Sequence, residues 1–485
     1  MQRERAAQFV RQAMALLESG RLLPAEQAAE QALALDRRNV DAMIICGTCA
    51  LEREFFDDAI AWLNRALTID RRNIRAHCVL GNALTRQGRF REALQRFERA
   101  MKLEPDNVMP VVGLAQVLDM EGKFDRVLRV LDPYVRRRAL TPDMVVLRIR
   151  AMVNTGASAE AIEHVDAARS AGVPPRHERE LCLLAGRAHE KLGSIDEAWT
   201  MLQAGNAIGR VPYDHQATLQ RHDAIRRAFS STGEVRSTCE SAQPVFIVGL
   251  PRTGSTLLES ILHAHTDAVG VGEIATMRKL MKNLPDIVGG DVQYPDGVPS
   301  LTGEQLTQLA EAYLDDLPRA SRRSARIVDK ALDNYLYVGL LVRMFPNGRI
   351  IDARRSPVEN CFACYMQNLD PRTHRYASSL EDLGAYYQAY DALMAFWQET
   401  CSSQMMRFDY EALVDDPAAE TQRLLDFVGL PWQEQCLRFH EKRRDVTTIS
   451  TQQVTQPISR SAIGRTERFG ARLDPLRRAL GEHGE

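Results

Sequence analysis

The sequence is notable first for what it lacks. Its 485 residues carry a net charge of only −2, so we expect neither a nucleic-acid partner nor attraction to a membrane surface. No apolar run approaches the roughly 18 residues of a membrane span. Its nine cysteines are scattered, and the opening MQRERAAQFV is charged. We therefore expect no secretory leader, reduced thiols and a cytoplasmic protein.

Two cysteine pairs have the spacing of a metal or redox motif, Cys46 with Cys49 and Cys361 with Cys364. Both pairs lie in helical patterns, without further Cys or His at zinc-finger spacing. Burial as small hydrophobic side chains is the better interpretation, and we expect no metal.

Residues 1–210 repeat with a period of 34. The segments ALALDRRN, ALTIDRRN and AMKLEPDN end at Asn39, Asn73 and Asn107. Columns of small residues and of turn glycines keep the same step; they are Ala25, Ala59 and Ala93, Ala32, Ala66 and Ala100, and Gly20, Gly88, Gly122 and Gly156, with Glu54 in the missing slot. Small residues let two helices cross closely, and asparagine caps the next helix.

This first region resembles the tetratricopeptide repeat. The resemblance implies a solenoid of helix pairs with a concave face that binds a peptide or protein. The alternatives are a purely structural arm or one that makes a homodimer. Residues 211–242 predict a helical connector followed by a Ser/Thr/Gly-rich linker.

Residues 243–485 alternate strand and helix patterns. PVFIVGL, ARIVDK, GRIIDARR and MMRFDY are strand-like, and amphipathic helical segments separate them. Ser356 and Pro357 are expected to begin one helix, and Asp416 to cap another. Residues 284–302 are rich in glycine and proline and predict a long mobile loop that could cover a substrate. The alternation predicts a P-loop-like α/β domain with a parallel sheet.

The segment VFIVGLPRTGST has the glycine spacing of a nucleotide-triphosphate loop without its lysine. Ser255 stands at the lysine position, and Arg252 lies within the loop. The strand before it and the helix after it are the context that a phosphate loop requires, and we expect the amides of residues 253–257 to face an anion. The missing lysine argues against ATP and leaves a phosphosulfate open.

The stretch PVFIVGLPRTGSTLLESIL resembles the 5′-phosphosulfate loop of sulfotransferases. RIIDARRSPVENCFACY resembles the 3′-phosphate motif of that family, and MRFDYEALVDDP and FVGLPW resemble its later landmarks. With the repeats in front, the chain is similar to bacterial tetratricopeptide-repeat sulfotransferases and distantly to protein-tyrosine sulfotransferases. The resemblance implies 3′-phosphoadenosine-5′-phosphosulfate (PAPS) as the sulfuryl donor.

The resemblance also assigns roles to individual positions. It implies that the 5′-phosphosulfate is held by Arg252, Thr253, Gly254, Ser255, Thr256 and Leu257. It places Arg355 and Arg465 at the 3′-phosphate, with Ser356 as a neighbouring hydroxyl, and Tyr410 near the nucleotide. Lys330 and Ser450 would assist at the transferred group. The family's serine eight residues after the 3′-phosphate arginine is Ala363 here, so one hydroxyl ligand is missing.

The acceptor hydroxyl needs a base. Glu273 lies 21 residues after Arg252, which is the spacing of the catalytic glutamate in tyrosine-type sulfotransferases. His263 and His265 are rivals, although capping is the simpler interpretation of His265. The expected function is PAPS-dependent transfer to a hydroxyl of a peptide tyrosine, carbohydrate, lipid or phenol. The alternatives are a non-catalytic scaffold and an ATP-dependent phosphotransferase.

Overall fold

The computed structural model describes residues 2–230, 235–319, 321–441, 456–460 and 463–481. The chain forms two compact units. Of the described residues, 2–164 belong to the first unit and those from 165 onward to the second. The boundaries at 210 and 243 stay a prediction, because compact packing and repeat sequence are different criteria for a domain.

The chain up to residue 230 is helical. Its helices are α1 (Gln2–Glu18), α2 (Leu22–Leu35), α3 (Val40–Glu52), α4 (Phe56–Ile69), α5 (Ile74–Arg86), α6 (Phe90–Leu103), α7 (Val108–Met120), α8 (Phe124–Arg136), α9 (Pro142–Asn154), α10 (Ser158–Ser170), α11 (Pro175–Lys191), α12 (Ile195–Ala207) and α13 (His215–Ser230). The predicted helix–turn–helix repeats are confirmed.

The repeat columns have the predicted physical roles. The two alanine columns are fully buried, which lets the paired helices approach closely. Asn39 and Asn73 cap α3 and α5 by accepting from the amides of Ala42 and Ala76, each at 3.0 Å. Glu54, which replaces glycine in the turn column, takes the same left-handed backbone with φ 65°. The turn geometry therefore persists where glycine is absent.

The second unit contains a five-stranded parallel sheet in the order β2-β3-β1-β4-β5. Its strands are β1 (Pro244–Gly249), β2 (Ala268–Gly272), β3 (Arg326–Asp329), β4 (Arg349–Arg354) and β5 (Met405–Asp409). β1 is central and wholly buried. Pro244 pairs with Ile327 of β3, and Val245 with Arg349 of β4. The predicted α/β architecture is confirmed, and β2 is a strand that the sequence pattern missed.

Helices cover this sheet. They are α14 (Ser255–Ala264), α15 (Thr276–Lys282), α16 (Leu284–Val288), α17 (Gly303–Asp316), α18 (Val338–Met344), α19 (Pro357–Tyr365), α20 (Leu380–Thr400), α21 (Tyr410–Asp415), α22 (Pro417–Val428) and α23 (Asp474–Ala479). The long loop predicted at 284–302 instead contains helix α16 and a 3₁₀ turn at Val298–Ser300. Leu284 and Val288 of α16 and Val298 are buried in the core and order the segment.

Candidate active site

The candidate site lies at the carboxyl edge of the sheet, where each strand leads directly into a residue or loop that the sequence singled out. β1 runs into the loop at 250–254, β2 into Glu273, β3 into Lys330, β4 into Arg355 and β5 into Tyr410. Parallel strands end on the same edge, so the sheet places these side chains on one side of the molecule. The strand order reverses between β1 and β4. Ligands of parallel α/β sheets usually bind at such a switch point.

The loop after β1 turns sharply into α14. Arg252 has φ 72°, a conformation that costs free energy for a residue with a side chain, and Gly254 has φ 88°. Thr253 Oγ1 donates to the carbonyl of Leu250 at 3.0 Å and closes the turn. Gly254 occupies the N-cap of α14, and no side chain caps that helix end. A helix start without a side-chain cap is an arrangement that favours an anionic ligand.

The amide of Leu257 donates to the carbonyl of Gly254 at 2.9 Å, a bond within the first turn of α14. The role predicted for Leu257 stays a prediction. Ser255 and Thr256, on the same turn, are buried.

Two side chains of helix α19 bond to the loop after β1. Asn360 Nδ2 donates to the carbonyl of Pro251 at 2.8 Å, and Cys364 Sγ donates to the same oxygen at 3.3 Å. Cys361 and Cys364 are buried as predicted. Cys364 nevertheless does more than fill space, because its thiol fixes the loop. No sequence pattern indicated this pair of contacts.

Tyr410 packs directly on Gly254. A Cβ atom added to Gly254 would lie 2.6 Å from Tyr410 Cδ2. The Arg355 guanidinium lies 5.3 Å from the centroid of the same ring, within cation–π range. Tyr410 therefore links the loop after β1 to the arginine after β4.

Arg355 is held by a carboxylate that sequence reasoning missed. Its Nη2 donates to Glu359 Oε2 at 3.0 Å, and both side chains are buried. Glu359 Oε1 accepts from the amide and the hydroxyl of Thr466, at 3.1 and 2.8 Å. The four-residue spacing of Arg355 and Glu359 was the available signal. Glu359 thus ties the 3′-phosphate candidate Arg355 to the C-terminal segment.

Ser356 and Pro357 begin α19 as predicted, with Ser356 at the N-cap and Pro357 at the first helical position. The Ser356 hydroxyl, however, makes no capping bond. The Ser356 amide donates to Glu411 Oε1 at 3.0 Å instead. The side chain of Asp416, in contrast, caps α22 as expected by accepting from the amide of Ala419 at 3.0 Å.

The electrostatics around the loop favour an anion. Burial, together with the positive charges of Arg187, Arg355 and Arg465, lowers the pKa of Arg252 to about 10. A proton is held less tightly where cations crowd in a medium of low polarity, and an anionic ligand relieves that repulsion.

Lys330 and Glu273 form an ion pair through Lys330 Nζ and Glu273 Oε1. The lysine side chain is 1% exposed, whereas that of Glu273 is 53% exposed. The preceding residue, Asp329, is buried and accepts from Tyr313, Ala331 and Asn334. Burial raises the pKa of Asp329 to about 7.

The two histidines have structural partners. His265 is fully buried, accepts at Nδ1 from the amide of Asp267, and bonds through Nε2 to the carbonyl of Pro431, both at 3.0 Å. Its proton is therefore on Nε2, which donates. His263 Nδ1 accepts from the amide of Gly270 at 3.1 Å. Both ring nitrogens of His265 are thus occupied: Nε2 joins the end of α14 to the segment after α22, and Nδ1 closes the turn to Asp267.

Arg465 lies against helix α11. It pairs with Glu190, and so does Arg468, whose Nη2 lies 2.7 Å from Glu190 Oε1. Ser450 lies outside the described residues. Within the described ranges, no group of three or more His, Cys, Asp or Glu side chains is arranged to hold a metal ion. Nor does any helix in that part of the chain combine the length and apolar character of a membrane span.

Comparisons with known proteins agree with this architecture. Residues 244–434 match the sulfotransferase family, and residues 10–74 and 84–145 match tetratricopeptide repeats. The chain therefore carries a sulfotransferase-family domain behind a tetratricopeptide-repeat region.

Individual relatives are distant. An uncharacterized protein of Aquifex aeolicus is 28% identical over 71% of this chain and 47% of its own length. Protein-tyrosine sulfotransferase A of Caenorhabditis elegans is 22% identical over 45% of this chain and 60% of its own. The chain thus spans about half the length of these relatives. Among solved structures, PilF of Pseudomonas aeruginosa covers 43% of this chain and 93% of its own at 19% identity, with a TM-score of 0.38.

Proposed function

We propose that the protein is a PAPS-dependent sulfotransferase that modifies an acceptor hydroxyl by in-line displacement. The observation that supports this most is the convergence of four features at one sheet edge. They are the lysine-free loop at 250–254, the cations Lys330 and Arg355, and the accessible carboxylate of Glu273.

The residues fit the donor chemically. The start of α14, together with Arg252, Thr253, Gly254, Ser255 and Thr256, would hold the 5′-phosphosulfate. Arg355, with Ser356, Tyr410 and Arg465, would hold the 3′-phosphate end. A buried cluster of cations suits a ligand with anionic groups at both ends, and a charge-assisted bond is stronger than a neutral one.

When bound, PAPS supplies the sulfuryl group: the acceptor oxygen bonds to sulfur as the bond to the 5′-phosphate oxygen breaks, and 3′-phosphoadenosine 5′-phosphate (PAP) leaves. Glu273 takes the acceptor proton, for which its exposure on the solvent side is suited. Lys330 and Arg252 stabilise the charge that develops on the transferred group and the leaving oxygen. Ser450 would assist there.

The acceptor is a hydroxyl of a peptide or protein tyrosine or of another molecule. We favour a peptide or protein because tetratricopeptide repeats commonly bind peptides. The repeat region would then deliver the acceptor, and dimerisation of this region is the alternative.

Transfer of labelled sulfate from PAPS to a panel of tyrosine peptides, carbohydrates, lipids and phenols tests the function. We expect transfer by the wild-type chain to one class and a loss of at least 100-fold in Glu273→Ala. Glu304→Ala, which removes an exposed carboxylate, is the matched control and should transfer normally. A loss of less than tenfold in Glu273→Ala contradicts the assignment of the base.

Two other functions remain to be distinguished. A non-catalytic scaffold is favoured by Ala363, which removes a phosphate ligand, and it predicts no PAP binding up to millimolar concentration in calorimetry. A phosphotransferase predicts magnesium-dependent transfer from ATP, against which the absent loop lysine counts.

A further inference from the structure

Helix α11 belongs to the second unit, which also contains the candidate donor site, although it lies outside residues 244–434 that match the sulfotransferase family. The helix pair α11–α12 is joined closely to the region of α19. Asn206 donates to the carbonyl of Tyr365 at 2.8 Å, and Trp199 stacks on the Tyr365 ring with centroids 5.9 Å apart. Arg179 of α11 bonds to Asn368 and Ser378. These contacts give α11 a fixed position.

The C-terminal turn of α11 carries charged groups that meet the candidate site. Glu190 is 3% exposed and binds both Arg465 and Arg468. Arg187 lies three residues earlier, on the same face of the helix, and is half-buried. Arg187 is therefore near Arg465, the residue that the resemblance assigns to the 3′-phosphate.

The electrostatics agree with this placement. Burial lowers the pKa of Arg252 and of Lys191, and the charge of Arg187 lowers both further. The cluster comprises the cations Arg187, Lys191, Arg252, Arg355, Arg465 and Arg468 and the carboxylates Glu190 and Glu359. Among these eight side chains the cations outnumber the carboxylates. PAPS carries roughly four negative charges near neutral pH, almost two of them on its 3′-phosphate.

We propose that Arg187 is an additional ligand for the 3′-phosphate of PAPS, so that the donor site extends beyond the sulfotransferase-family domain into helix α11. This inference rests on the proposed function. It also accounts for Ala363, since a guanidinium from α11 would replace the missing hydroxyl, and a charge-assisted bond to phosphate is stronger than a bond from a hydroxyl.

Calorimetry with PAP and with AMP, which lacks only the 3′-phosphate, tests this. In the full chain, Arg187→Gln should weaken PAP binding at least tenfold and AMP binding less than threefold. Arg176→Gln removes the same charge from the exposed first turn of α11 and should change neither affinity by more than twofold. Arg187→Lys keeps the charge but loses the planar fork, so an intermediate loss is expected.

The outcomes separate this inference from the function itself. If wild-type chain binds no PAP, the proposed function fails, and the inference with it. If wild type binds PAP but Arg187→Gln matches Arg176→Gln, or loses PAP and AMP equally, Arg187 is not a 3′-phosphate ligand and the function stands. If near-ultraviolet circular dichroism shows that Arg187→Gln does not fold, Arg187→Lys is used instead. A ratio of PAP affinity to AMP affinity that is unchanged from wild type in Arg187→Lys overturns the inference.

Discussion

Lys330 donates from Nζ to Glu273 Oε1, joining a buried lysine that follows β3 to a half-exposed carboxylate that follows β2. β2 and β3 are neighbours in the sheet, so the pair is fixed by the register of two adjacent strands. The proposed base and the proposed charge-stabilising lysine therefore orient each other, and a change in one is expected to affect the other.

A double-mutant cycle on this pair should be strongly non-additive. Glu273→Gln and Lys330→Met should each lower kcat at least 100-fold. Each variant loses the role of the replaced side chain and also the ion pair that orients the other one. The kcat of the double variant should be no more than about tenfold lower than that of the less active single variant. Losses that multiply fully would show that the two residues act independently. Stopped assays with labelled PAPS at saturating acceptor measure kcat.

His265 should prove structural. Its Nε2 and Nδ1 both have backbone partners, so replacing it leaves buried groups unsatisfied at a cost of about 1–3 kcal/mol. We expect His265→Gln to lower the unfolding midpoint by several degrees, while the turnover rate of the folded chain stays within threefold of wild type. A 100-fold slower turnover without loss of stability would reinstate His265 as the base.

Gly254 should not tolerate a side chain. Its φ is 88°, and an added Cβ would lie 2.6 Å from Tyr410. Gly254→Ala should therefore displace the loop or Tyr410 and weaken PAP binding at least tenfold in calorimetry. Gly289→Ala is the matched control, since Gly289 has φ 76° with open space around it. With φ 76° and ψ 152°, Gly289 lies in a backbone region that favours glycine, so that variant should lose roughly 1–3 kcal/mol of stability and keep its affinity for PAP. Equal affinities for the two variants would contradict a role of the loop in binding.

Asp329 should make stability depend on pH. Burial raises its pKa from an ordinary value of 3.8 to about 7. The folded chain therefore binds this proton more tightly than the unfolded chain. The resulting stabilisation is complete below about pH 4 and is lost as pH rises through about 7. Asp329→Asn lacks this contribution, so wild type should lose stability relative to the variant between pH 5 and pH 8.

Thermal unfolding of both chains at the two pH values measures the difference. The control is Asp286→Asn, which removes a carboxylate at an exposed position. A constant difference between wild type and Asp329→Asn would show that Asp329 is ionised throughout this range.

The sequence predicted the fold and part of the site for reasons that are local. The Asn39 and Asn73 caps, the buried alanine columns and the loop context of Gly254 follow from neighbouring residues. The strand β2 was missed because AVGVG is short and glycine-rich. Contacts from distant segments were also missed: Glu359 with Thr466 and Glu190 with Arg465 join residues far apart in the chain, and one sequence carries no signal for such pairs. The roles of the predicted site residues stay predictions.

Glu359 is the counter-charge of Arg355, and this suggests a test of the 3′-phosphate site. Glu359→Gln leaves a buried arginine without its carboxylate and places an amide N–H group or a weaker acceptor beside it. Breaking a buried pair in this way costs about 3 kcal/mol, so the unfolding midpoint should fall.

A bound 3′-phosphate would supply the missing negative charge. PAP should therefore raise the midpoint of Glu359→Gln by more than it raises that of wild type, whereas AMP should act equally on both. Glu420→Gln, which breaks a surface pair with Arg423, should respond to PAP as wild type does. An equal PAP response in Glu359→Gln and wild type would mean that Arg355 does not meet the 3′-phosphate.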